Sequence, residues 1–116
     1  MGTPSNDREN TLNELLNFER RLVELRYSLS VLEWDSEEEI VTLTLNHLKN
    51  ILNRYLEKEL SDNDIYEWAN LIEMREDIRL DPTHEDLLKE LIFELANPEI
   101  NGSLTKERSL EMRALK

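Results

Sequence analysis

Residues 61–72 read SDNDIYEWANLI, and the reading of this stretch decides the fold. Ser61 can accept from a free amide of a first helical turn while Asp64 reaches back to it, a shortened capping box, with Leu60 and Ile65 at the hydrophobic-staple positions on either side. Ile65, Trp68, Ala69 and Ile72 then recur on one stripe at about 100° per residue. Leu71 and Ile78 widen the stripe, and the pattern fails near Arg79. A cap followed by a 3.6-residue apolar period is a helix signature, and the rest of the chain repeats it.

Downstream, Asp81-Pro82 opens a further helix, the Asp as cap and the Pro at the first helical position, with Leu87, Leu88, Leu91, Ile92 and Leu95 as its core face. Pro98 stops it, the NPEING segment at 97–102 reads as a loop, and residues 105–115 make a short last helix burying Leu110, Met112, Ala114 and Leu115. Upstream, LEWDSEEEIV at residues 32–41 reads as a helix start, since Asp35 or Ser36 can cap it and Ser36-x-x-Glu39 fits a capping box. Glu37, Glu38 and Glu39 would then sit at the positive end of the helix dipole. The apolar run of this helix, from Ile40, Val41, Leu43, Leu45 and Leu48 through Ile51, Leu52, Tyr55 and Leu56, covers more than half its circumference. An earlier helix spans Thr11 to Tyr27 or Ser28, with Leu12, Leu15, Leu16, Leu22 and Val23 on one face and Phe18, Leu25 and Leu29 widening it. Short connections between these patterns predict a single all-α domain over 11–116, a four- to five-helix antiparallel bundle preceded by a polar tail at 1–10.

Composition agrees with helices and narrows the chemistry. Only 2 Gly and 3 Pro occur in 116 residues, too few for a turn-rich β architecture, and 39% apolar residues at regular spacing suffice for a core. With no cysteine, thiolate nucleophiles, disulfides and Cys-based metal sites are ruled out. The amino terminus lacks a signal-peptide core, and no run approaches the length of a spanning segment, so the expected location is cytoplasmic. A formal net charge of −12 disfavours nucleic acid and anionic membranes as partners and favours a basic one.

Sites of catalysis or metal binding are not evident. EF-hand loops beginning at Asp35 or Asp62 lack the required glycine. His47 falls on the apolar side of its helix, as a core histidine hydrogen-bonded to a neighbour does, and His84 falls in a first turn within reach of Asp81. There is no HExxH, no Glu-x-x-His pair, no GxSxG elbow and no phosphate-cradling glycine loop. The expectation is a protein without catalytic residues, metal or cofactor, and not an enzyme.

Charge segregation is the feature that points to function. No Lys or Arg stands between Arg26 and Lys49, where Glu33, Asp35, Glu37, Glu38 and Glu39 fall. None stands between Lys58 and Arg75, where Glu59, Asp62, Asp64, Glu67 and Glu73 fall. At helical spacing Asp62, Tyr66, Glu73 and Asp77 share a face, placing Tyr66 as an exposed aromatic in an acidic field and Glu73 and Asp77 as a like-charge pair. The expected partner-binding set is Glu33, Asp35, Glu37, Glu38, Asp62, Tyr66, Glu73 and Asp77, facing a basic protein. The plainer reading is a solvated acidic surface that aids solubility. The alternative is a scaffold or homodimer that buries the broad apolar faces of the first two helices, with Glu19 and Arg26, seven apart in the first, as an interfacial polar contact.

Trp68-Ala69, Arg75-Glu76-Asp77 and Leu95-Ala96-Asn97-Pro98, within residues 59–102, resemble a family of small uncharacterised bacterial all-helical proteins. In size and acidity the chain also resembles toxin-immunity proteins. That resemblance implies binding and blocking of a cognate toxin and carries over no catalytic residue.

Overall fold

The computed structural model describes residues 4–19, 21–31, 41–75 and 77–115. In chain order these form α1 (Pro4–Leu16), α2 (Leu22–Val31), β1 (Val41–Leu43), α3 (Leu45–Leu56), α4 (Asp62–Glu73), β2 (Ile78–Leu80), a 3-10 turn (Pro82–His84), α5 (Glu85–Ala96), a single-turn α6 (Pro98–Asn101) and α7 (Lys106–Arg113). The chain is mostly helical, as its periodicity predicts. It departs from four or five long antiparallel rods at both of its first two helices, and helix α1 begins at Pro4, inside the polar amino-terminal stretch.

The first departure is the break between α1 and α2, where an unbroken helix was expected. Phe18 adopts a left-handed backbone, φ 50°. The Phe18 amide donates to the Leu15 carbonyl at 3.0 Å and the Glu19 amide to the Glu14 carbonyl at 2.9 Å, the paired bonds of a Schellman motif. Such a cap normally uses glycine, because a β-carbon at positive φ costs about 1 kcal/mol or more. Here Arg54 supports it. Its Nη1 donates to the carbonyls of Asn17 (3.1 Å) and Phe18 (2.8 Å), and its guanidinium lies 5.4 Å from the centre of the Phe18 ring. Helix α3 ends in the same way at Lys58, φ 67°, with the Lys58 amide donating to Tyr55 and the Glu59 amide to Arg54.

The second departure concerns Val41–Leu43, expected inside a helix and found in a strand. The run Val41, Leu43, Leu45 fits a period of two as well as it fits a helical face, and β-branched Val41, Thr42 and Thr44 favour the extended choice. The strand's side chains alternate buried, exposed, buried. It pairs in parallel with β2, Val41 opposite Ile78 and Leu43 opposite Leu80, so Ile78 belongs to this ladder and not to the flank of α4. Helix α3 therefore starts at Leu45 behind Thr44, whose hydroxyl accepts from the His47 amide while His47 Nδ1 accepts from the Thr44 amide at 2.9 Å. His47 is hydrogen-bonded as expected, but it is half-buried rather than in the core, and its bond completes a capping box. The capping box expected at Ser36 and Glu39 lies outside the described residues.

The cap and buried stripe of α4 and most of the buried face of α5 are as expected, although α5 starts at Glu85, after a 3-10 turn, and Leu87 is only partly buried. Ser61 and Asp64 exchange both capping-box bonds, and Ile65, Trp68, Ala69 and Ile72 are buried. Asp81 caps the 3-10 turn through the Thr83 amide, and Leu88, Leu91, Ile92 and Leu95 are the buried face of α5. The NPEING segment holds the one-turn α6, closed by Gly102 at φ 83°. Thr105 caps α7, which buries Ser109 and Met112 rather than Leu110 and Ala114. At the centre, Trp68 is fully buried, and its Nε1 donates to the Leu15 carbonyl at 2.7 Å, tying α4 to the end of α1.

Burial holds the His47 pKa below its ordinary 6.5. Its neutral Nδ1 is the acceptor the cap requires, so this contribution to stability is present above pH 6.5 and is lost as pH falls through the lower, folded value. Replacing His47→Gln, which can serve the same cap, should flatten that acid-side loss, measured as urea midpoints between pH 7 and 5.

Candidate functional site

Of the expected partner-binding residues, Asp62, Tyr66, Glu73 and Asp77 lie within the described residues, and helix α4 carries the first three. Its first turn takes Asp62 and Asp64 because carboxylates are favoured at the positive end of a helix. Its buried stripe, fixed by Trp68, turns the remaining sides of its first half outward, between two depressions.

On one side a cleft of about 400 Å³ opens between α4, the end of α5 and the start of α7. Asp62 and Tyr66 line it together with Glu94, Leu104 and Arg108. Tyr66 is half-buried against the wall, not fully projecting. Arg108 crosses the floor to Glu94 in a two-pronged ion pair, Nε to Oε2 at 2.8 Å and Nη2 to Oε1 at 2.7 Å, and reaches Glu111 at 3.2 Å. The hydrogen bond to Glu94, joined by Glu111, raises the Arg108 pKa further, so this cation is fully charged and already neutralised. Tyr55 donates its hydroxyl to the Leu104 carbonyl at 3.0 Å, holding the far wall, and its pKa is raised by burial first and then by the charges of Asp62 and Glu107.

On the other side a shallower groove of about 490 Å³ runs between α4 and the α1–α2 turn. Phe18, Leu22 and Leu60 give it an apolar floor, and exposed Val23 with Glu19, Glu59, Asp64 and Glu67 line its edges. Of its two arginines, Arg54 is occupied by two carbonyls and Glu59. Sequence reading did not single out this groove. Glu59, Asp64 and Glu67 were visible as members of a cation-free run, but their meeting with Glu19 depends on the unforeseen break at Phe18.

The structure thus brings Asp62 and Tyr66 together and separates them from the other expected residues. Glu73 is exposed at the opposite end of α4, about 16 Å along the axis at 1.5 Å per residue. Asp77 is not on α4 at all. It follows the helix, is 1% exposed, and takes both prongs of Arg75, each at 2.8 Å. The like-charge pair with Glu73 does not form, because the chain leaves the helix at Met74 and the carboxylate turns inward to the arginine two residues before it. Glu33, Asp35, Glu37 and Glu38 lie outside the described residues. Glu19 lies in the turn between α1 and α2 and Arg26 in α2; both are exposed and they share no helical face.

No cluster of three or more metal-ligating side chains occurs among the described residues, and no described helix is long and apolar enough to cross a membrane. Comparisons with models of known families, with curated proteins and with solved structures return no match.

Asp77 is a structural residue by this geometry. Asp77→Ala should lower stability by about 3 kcal/mol, because it leaves the largely buried Arg75 without its carboxylate. A denaturation midpoint equal to that of the parent protein would contradict the buried pair.

Proposed function

We propose that the protein is a non-enzymatic binding module that docks a basic protein partner through the first half of α4. What supports this most directly is the arrangement of Asp62, Asp64 and Glu67, three carboxylates in the first half of one helix, bordered on each side by a depression with apolar lining. No lysine or arginine occurs between 58 and 75 to neutralise them in sequence. Clustered surface charge speeds encounter with an opposite surface, and lasting affinity needs an aromatic or apolar anchor in a pocket. Tyr66 and the Phe18 and Leu22 floor supply such anchors beside the charge. An inhibitor or immunity role, with a basic toxin blocked in the cytoplasm, is the form of this activity most in keeping with a chain of 116 residues and net charge −12.

Self-association is the second reading. It draws on Val23 and Tyr27, four apart on the outer side of α2 and 62% and 69% exposed.

The two readings separate experimentally. The doubly substituted Asp62→Lys, Glu67→Lys protein should keep its helical circular dichroism and lose roughly tenfold or more in association rate with a basic partner captured from native extract at low salt. Unchanged kinetics would count against the acidic surface. A shift in sedimentation with protein concentration, abolished by Tyr27→Ser, would favour self-association.

A further inference from the structure

We infer that the outer edge of β2 is a docking site for an extended acidic peptide, which would join the sheet as a third strand beside an apolar pocket. This surface is separate from the acidic half of α4, and the inference does not depend on the proposal made for that helix.

The ladder itself defines the edge. The Val41 amide donates to the Asp77 carbonyl at 3.3 Å and the Asp81 amide to the Leu43 carbonyl at 2.9 Å. In a parallel pair, this register directs the backbone groups of residues 77, 79 and 81 toward β1 and those of 78 and 80 away from it. The outward amides and carbonyls of Ile78 and Leu80 have no hydrogen-bond partner among the described residues. Two donors and two acceptors at a two-residue repeat are complementary to one kind of ligand, an extended backbone.

Beside that edge the fold leaves a place for a side chain. A pocket of about 270 Å³ is lined by Ile72, Ile78, Leu80, Ile92 and Phe93, with Lys89 on its rim. Phe93 is 48% exposed although it belongs to α5, the helix packed over α4. A strand added to β2 would place alternate side chains on the Ile78 and Leu80 face, so one aliphatic residue could enter the pocket.

The charges give the partner its sign. Arg79 projects from the opposite face of β2 and is exposed, as is Lys89. Neither forms an ion pair among the described residues, whereas Arg75 nearby is held by Asp77. Glu73, also on the pocket rim, disfavours a carboxylate there. The matching segment therefore alternates aliphatic residues toward the pocket with Asp or Glu beside Arg79, where opposite charges on neighbouring strands attract.

The test is a titration of isotope-labelled full-length protein with three capped hexapeptides, followed by the amide resonances of Ile78, Leu80 and Phe93. The first is Glu-Leu-Glu-Val-Glu-Leu, the second has Lys for Glu, and the third is the acidic sequence with alternate backbone nitrogens methylated. The acidic peptide should shift these amides saturably, with a dissociation constant in the micromolar to millimolar range. The lysine peptide should bind roughly fivefold more weakly, methylation should abolish binding, and Arg79→Glu should reverse the charge preference. Absence of shifts at Ile78 and Leu80 at millimolar peptide, or equal binding of the methylated form, would overturn the proposal. Shifts of the same amides on concentrating the protein alone would assign the edge to a second copy and overturn it equally.

Discussion

The structure depends on how Arg54 holds two helix ends that glycine would ordinarily make. With only 2 glycines in the chain, α1 and α3 both terminate in left-handed residues that carry β-carbons, Phe18 and Lys58. Arg54 belongs to both ends. Its own carbonyl accepts the Glu59 amide in the cap of α3, while its guanidinium takes the Asn17 and Phe18 carbonyls at the end of α1 and the Glu59 carboxylate at 3.0 Å. A planar group with five donors can satisfy three acceptors at once and still stack on a ring, which a lysine cannot do. The unfavourable backbone conformation of Phe18 is offset at that point, and α2 is free to fold back.

The acidic groove follows from this turn. Because α1 stops at Leu16, α2 packs beside it and the connecting turn presents Phe18, Glu19, Leu22 and Val23 toward α4. Trp68 sets the other coordinate, since its indole bond to the Leu15 carbonyl fixes how α4 is rotated about its axis. With the Trp68 stripe inward, Asp62 and Tyr66 face one depression and Asp64 and Glu67 the other. The charge on α4 is therefore displayed by two contacts made with the last turn of α1, neither of which involves a carboxylate.

The sequence makes half of this legible, and the division has a physical basis. Ser61 with Asp64 and Asp81 with Pro82 are local signals, in which the capping residue and the amide it serves lie within three positions. They read correctly. The end of α1 carries no local signal, because the group that stabilises it, Arg54, lies 36 residues from the Phe18 carbonyl it binds. Strand β1 carries no decisive local signal for a related reason. Its apolar spacing suits either period, and its partner Ile78 is distant in sequence, so only the ladder resolves the ambiguity. The candidate site divides in the same way. Asp62 and Tyr66, four apart on a well-signalled helix, line one cleft. Asp77 was lost because Arg75 captures it once the helix has ended.

The most direct test of this account is amide hydrogen exchange across the Arg54→Lys variant. The substitution keeps the positive charge and removes the fork, so overall stability should fall by about 1–3 kcal/mol. Exchange of the Phe18, Glu19, Lys58 and Glu59 amides should accelerate roughly tenfold beyond that of α5 amides, as the two left-handed ends open locally. A uniform change across all helices, or none, would contradict the claim that this one side chain holds both ends and so sets the turn on which the acidic groove is built.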